Sequence, residues 1–208
     1  MIENNLINQY LLATPSINDP LFASSMVYLC EHSIEGCMGM VVNHPSDQTL
    51  ENMFNQLDID CEIDSVRQLP VFIGGPVNLQ QGFVLHTAPC NWEKSLAIKD
   101  NICLTSSRDI LEAIARDQGP EKFIVLLGYS GWSAGQLEQE LQNNAWLTTQ
   151  SSVDITFNRD NDRKWQMAFD TLGFNLVATF QLSAEAACFF GHRGRQILHA
   201  GGQANDQH

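Results

Sequence analysis

Phe123–Trp146 reads FIVLLGYSGWSAGQLEQELQNNAW, and the reading of this stretch decides the fold. Phe123 to Leu127 is unbroken apolar, the pattern of a strand buried on both faces. Glycines at 128, 131 and 135 follow, and such spacing reads as a turn. Leu137, Leu141 and Ala145 then recur at the period of an amphipathic helix. A strand that stops at a glycine turn and feeds a helix is where α/β proteins hold ligands, because the unpaired N–H groups of the first helical turn face the bend. The expected ligand surface is therefore Gly128, Tyr129, Gly131, Trp132 and Gln136, with Trp132 partly exposed inside the bend and Trp146 packing the end of the helix.

The rest of the 208 residues sets limits on what that surface does. The length fits one domain with a core of its own. A content of 44 % apolar and 17 % charged residues is that of a globular chain rather than a disordered one. The net charge is −13 and the few lysines and arginines are scattered. Binders of a phosphate backbone carry a basic stripe instead, so direct nucleic-acid binding is argued against. Residues 1–15, MIENNLINQYLLATP, lack a basic start and a long apolar stretch, so no secretory leader is expected. No run approaches the roughly 18 apolar residues of a membrane span, and the chain is read as cytoplasmic. Six cysteines (30, 37, 61, 90, 103 and 188) show no C-x-x-C spacing. In a reducing compartment they are expected as free thiols, with no zinc site.

Read in order, the chain predicts a strand at 8–14, a hairpin from 25–32 and 37–43 turned at Ser33–Gly36, and a helix capped by Thr49. Strands follow at 70–73 and 82–87, joined by a loop GGPVNLQQ, and another at 98–104. A helix from Ser106 to Arg116 leads into the central strand and helix. A strand at 153–157, a helix from Asp160 or Asp162 carrying Trp165, Ala168, Phe169 and Leu172 inward, and a last strand at 176–182 complete the pattern. Hairpins combined with β-α-β crossovers give a mixed α/β (α+β) sheet covered by helices. Residues 1–190 are expected as a single compact domain and 191–208 as a loosely ordered tail.

Eight ordered blocks then carry a family resemblance: LLATPSINDPLF (11–22), YLCEH (28–32), G-x-x-G-M-V-V-N (36–43), GGPV (74–77), GFVLH (82–86), LTSSRDIL (104–111), LGYSGWSAGQLEQEL (127–141) and NNAWL (143–147). Over residues 6–186 the chain resembles the bacterial YqgE/AlgH family. The resemblance implies a mixed fold with a strongly twisted, partly split sheet flanked by helices. It brings no assigned reaction, and it attaches a regulatory role in transcription to part of the family. This chain departs from the family pattern at Ser133-Ala134, at His44, and in running on past Ala186.

Four features bear on chemistry. Gly131-Trp132-Ser133-Ala134-Gly135 fits G-x-S-x-G between a strand and a helix, the context of a nucleophile elbow. A triad would draw on Asp154 or Asp170 with His192 or His199, and Ser133-x-x-Gln136 reads equally as a capping box. Glu31, His32 and His86 sit at strand ends as acid–base candidates, with His32 and His86 expected to converge near Trp132. Gly74-Gly75 offers a loop able to present amides to an anion, against the plainer reading of a tight strand exit. The acidic runs 58–64 and 158–162 lack the glycine and glutamate of a calcium loop, so no metal or cofactor is expected. The sequence reads as a non-catalytic domain that binds a small molecule or a protein through the bend and the GGPV loop. A hydrolase using Ser133 or His32/His86, and an indirect regulator of transcription, stand as the alternatives.

Overall fold

The computed structural model describes residues 5–99 and 101–173. Its strands are β1 (Gln9–Ala13), β2 (Met26–Ser33), β3 (Gly36–Val41), β4 (Pro45–Thr49), β5 (Pro70–Ile73), β6 (Val77–Thr87), β7 (Ser95–Lys99), β8 (Ile102–Thr105), β9 (Phe123–Ser133) and β10 (Trp146–Gln150). Its helices are α1 (Leu50–Gln56), α2 (Asp64–Arg67), α3 (Arg108–Ala115), α4 (Gln136–Gln142), α5 (Val153–Thr156) and α6 (Asn161–Asp170). The strands form one sheet in the order β10-β1-β2-β3-β9-β6-β8-β7, with the β4–β5 pair joined to β9.

The expected central strand is longer than its apolar run. β9 continues through Gly128 and Gly131 to Ser133, because neighbours on both sides keep bonding to it. β6 follows one edge. On the other edge β5 pairs in parallel at Val125–Leu127, and β3 takes over antiparallel at Ser130–Ser133. The parallel β5–β9 pairing is the one such pairing among the described strands, so the architecture is α+β, mainly antiparallel, rather than alternating β-α-β.

The handover between β5 and β3 requires very close backbone approach. A Cβ on Gly75 (φ +155°) would lie 2.2 Å from the Tyr129 carbonyl carbon, and one on Gly128 (φ +69°) would lie 2.6 Å from the Gly75 oxygen. Only a residue without a side chain fits both the space and the dihedral.

Apolar clusters flank this crossing on both of its sides. Leu50, Phe54, Ile110 and Ile114 of α1 and α3 close over Val71, Val84 and Val125. Leu137 of α4, with Trp132 and Trp146, closes over Leu11, Val27 and Leu29.

Other expectations need correction. The single strand at 98–104 is a hairpin, β7–β8, turned at Asn101 with φ +64°. The strand at 153–157 is the short helix α5; its β-branched residues cover the sheet instead of pairing in it. Trp146 starts β10, a strand not foreseen, which pairs antiparallel with β1. The GGPVNLQQ loop is half strand, since β6 begins at Val77. Six free thiols are also not found: Cys90 and Cys103 are joined in a disulfide, while Cys30, Cys37 and Cys61 are free. The expected strand at 176–182, the tail and Cys188 lie outside the described residues. No helix among the described residues is long and apolar enough to cross a membrane.

Gly75→Ala should lower the free energy of unfolding by about 3 kcal/mol or more, because backbone must move to admit the methyl group. Gly82 has open space around its Cβ position, and Gly82→Ala should stay within about 1 kcal/mol of the parent. Urea denaturation of both variants measures the contrast.

Candidate functional site

The expected bend is closed. Trp132 is 7 % exposed and buried, not the partly exposed indole expected. Its Nε1–H donates to Glu140 Oε2 at 2.9 Å, and Trp146 Nε1–H donates to the same oxygen at 2.7 Å. Gln136 Nε2 donates to Glu140 Oε1 at 2.9 Å. One carboxylate on α4 thus satisfies two buried indoles, which meet edge to face at 6.0 Å. A buried tryptophan needs such a partner for its N–H.

Gly128 lies inside β9, half-buried Tyr129 meets Phe83 edge to face, and Gly131 stands exposed on the strand. The true turn is at Gly135, which caps α4 with φ +74°. Gly74 donates its N–H to the Leu127 carbonyl, and its own carbonyl accepts from Val41 N–H and Ser130 Oγ. That amide is engaged in the strand crossing.

The predicted catalytic candidates do not assemble with one another. Ser133 Oγ and Ser133 N–H both donate to Gln136 Oε1, at 3.1 and 3.0 Å. Gln136 therefore reaches back as in a capping box, although the cap residue is Gly135. Asp154 pairs with Lys122 and Asp170 accepts from Gln166; His192 and His199 lie outside the described residues. Glu31 is exposed.

His32 and His86 do not converge, because β9 separates them. His86 lies opposite Phe123, whereas His32 lies opposite Cys37, which lies opposite Trp132. Nine residues of strand correspond to roughly 30 Å.

His86 is fully buried, edge-on to Trp92. Its Nδ1–H donates to the Thr87 carbonyl at 2.8 Å, and its Nε2 accepts from Thr105 Oγ1 at 2.8 Å. Burial pushes its pKa down, against a smaller opposing effect of the Thr87 carbonyl, so a neutral ring fits both bonds.

His32 is in different company. Its Nε2 lies 2.9 Å from Glu138 Oε1 and its Nδ1 accepts from Leu6 N–H at 3.2 Å. The bond from His32 is the main cause holding the Glu138 carboxyl below its usual range. The Cys37 thiol lies close by, its pKa raised by burial first and by Glu138 second. One donor atom of each of the three lies within 4.8 Å of the other two, and His32 and Glu138 border a cleft of about 570 Å³ that Leu6, Ile34 and Leu141 also line.

A second site, not anticipated, lies at α6. Lys164 is 1 % exposed. Its Nζ donates to the Val42 carbonyl at 2.8 Å and sits 5.0 Å from the centre of the Phe72 ring. Among the described residues no carboxylate pairs with it, and burial pushes its pKa down to about 8. It forms part of the wall of a cavity of about 360 Å³ between α6 and the β5–β9 pair, with Phe72, Phe123, Phe157, Lys122 and Arg159. Asn161 Oδ1, also on this wall, is buried without a partner among the described residues.

The sequence signal for this site was a lysine one turn before Ala168, on the apolar stripe of its helix. Trp165, read as core, is instead half-buried and stacked on Phe169 at 5.2 Å.

The lysine makes stability depend on pH in a definite direction. Below pH 8 the folded and unfolded chains both carry the proton, and the cost of burying the charge is present in full. Between pH 8 and 10.5 the folded form loses the proton first, so stability rises with pH. Relative to Lys164→Met, the parent should gain about 3 kcal/mol across that window. Parallel denaturant titrations of the two chains cancel the other alkaline titrations they share.

The chain matches the AlgH-like family (DUF179) over residues 10–177. A UPF0301 protein of Thioalkalivibrio sulfidiphilus is 46 % identical over 173 residues, covering 83 % of this chain and 92 % of that protein. One from Ralstonia nicotianae is 45 % identical over 182 residues, covering 88 % and 94 %. The solution structure of the AlgH protein from Pseudomonas aeruginosa is similar with a TM-score of 0.74 at 33 % identity, over 98 % of both chains. A crystal structure of a Corynebacterium diphtheriae protein shares the fold, with a TM-score of 0.55 at 20 % identity over 74 % of this chain and 85 % of that one. The pattern of sequence blocks, the split of β9 between two partners and these likenesses agree: the chain belongs to the AlgH-like UPF0301 family.

Proposed function

We propose that this AlgH-like chain is a non-catalytic binding protein that holds a small anion with an apolar body in the cavity beneath α6. The observation that carries the reading is the unpaired charge of Lys164. Among the described residues its ammonium has a carbonyl and a ring for company; burying a charge so is costly, and an anion beside it offsets that cost.

The cavity supplies further features of such a site: three aromatic side chains for the body of a ligand, and on its wall Arg159 and Lys122, the latter paired with Asp154, against one carboxylate, Glu121. In a chain of net charge −13, this local excess of cations favours an anion at this place over the rest of the surface. A regulatory role would follow from occupancy, since a ligand here bridges α6 and the sheet and stabilises their contact.

Benzoate and its neutral counterpart benzamide test the charge directly. By calorimetry near pH 7, benzoate should bind the parent chain about tenfold or more tightly than benzamide, and Lys164→Met should erase the difference. Equal affinities in the parent, or benzoate binding unchanged by the substitution, would overturn the reading.

A further inference from the structure

We propose that His32, Cys37 and Glu138 form a binding site for a divalent transition metal of the zinc class, with one coordination position open to the cleft beside the β2–β3 hairpin. The site is separate from the cavity beneath α6 and does not depend on it.

Three elements build the site. His32 on β2 and Cys37 on β3 are direct cross-strand partners, so their side chains project from the same face. Glu138 comes from the first turn of α4, which packs across that face through the buried Leu137. One donor atom from each residue lies within 4.8 Å of the other two, and the His32–Glu138 pair is already at 2.9 Å. Tetrahedral zinc bonds of about 2.0–2.3 Å put neighbouring donors roughly 3.3–3.6 Å apart. Small side-chain rotations close the remaining gap.

The donor set also discriminates. An imidazole nitrogen, a thiolate and a carboxylate suit zinc and its neighbours, whereas magnesium and calcium prefer oxygen alone. Three protein ligands leave a fourth tetrahedral position. The cleft of about 570 Å³ borders His32 and Glu138, so that position takes water or a donor group of whatever enters the cleft. Ile34, 85 % exposed at the hairpin tip, provides apolar surface at its edge. The spacing 32, 37 and 138 matches no linear metal motif, because the sheet and helix bring the ligands together.

The hydrogen bonds predict a structural consequence. His32 Nδ1 accepts from Leu6 N–H, so the neutral ring carries its proton on Nε2, toward Glu138. A metal takes the Nε2 lone pair, and the proton of the neutral ring then belongs on Nδ1. Nδ1–H cannot accept from Leu6 N–H. Metal binding therefore breaks the Leu6–His32 bond and frees the chain at Leu6.

Titration of the full chain with cobalt(II) tests this, because thiolate ligation gives an intense ligand-to-metal charge-transfer band. One equivalent should produce the band, zinc should abolish it by displacement, and amide exchange at Leu6 should speed up on loading. Cys37→Ser should remove the band, His32→Asn and Glu138→Gln should each weaken binding at least about tenfold, and Cys61→Ser should leave it unchanged. Should Cys37→Ser fail to fold, His32→Asn and Glu138→Gln on the cleft rim decide the question. Absence of the band at stoichiometric metal, its survival in Cys37→Ser, or unchanged affinity in both rim variants would overturn the site. Benzoate binding at Lys164 is read separately and is unaffected by any of these results.

Discussion

One strand with three neighbours is the constraint on which this structure depends. β9 has two edges, and β6 occupies one of them along most of its length. β5 and β3 must then share the other, β5 before Gly128 and β3 after it. The change of partner takes place within about two residues. The exit of β5 therefore crosses β9 at a distance that excludes side chains, and Gly75 and Gly128 meet there. Gly75 and Gly128, which look like parts of flexible ligand loops in the sequence, have no room for a side chain. Their backbone groups close the crossing, with Gly74 N–H on Leu127 and Ser130 Oγ on the Gly74 carbonyl.

The split of β9 also explains why different helices cover the two halves of the sheet. Each half of the sheet needs its own cover. α1 and α3 lie on the half built around β5 and β6, and α4 lies on the half built around β1 to β3. The helix α4 has seven residues and little intrinsic stability. It is held instead by Leu137 below and by Glu140, whose carboxylate collects the indole N–H groups of Trp132 and Trp146. Trp132 is on β9 and Trp146 on β10, at separate places in the sheet, so one acidic side chain ties helix and sheet together.

Much of the order of elements was legible in the sequence. The β2–β3 hairpin, the Thr49 cap of α1, the helix α6 and the strand–helix join at β9–α4 all follow from local pattern, and the family blocks follow from sequence alone. What was missed depends on partners distant in the chain. Ser95–Thr105 holds two strands around one tight turn, which an apolar run does not reveal. Val153–Thr156 has strand-forming residues, yet Tyr10 Oη on β1 bonds the Ser152 carbonyl and Thr156 Oγ1, and those contacts hold the segment as a helix. The sites divide the same way. Ser133, His32 and His86 were visible as residue types, but it is the register of β2 against β3, and of β6 against β9, that gives His32 Cys37 for a neighbour and sets His86 apart. Trp132 was misjudged because its carboxylate partner comes from the following helix.

Lys164 shows how the chain deals with a strand that stops pairing. β3 ends at Val41, and the backbone leaves the ladder toward β4. Val42 N–H still reaches the Met26 carbonyl, but its own carbonyl is buried and requires a donor from elsewhere. Lysine meets that need with one N–H of three and brings a charge into an apolar wall beside Phe72. A carbonyl acceptor alone does not account for so costly a donor. On the reading proposed above, an anion in the cavity would offset that cost, and Asn161 Oδ1 on the same wall, without a partner among the described residues, is a second polar atom such an occupant would satisfy.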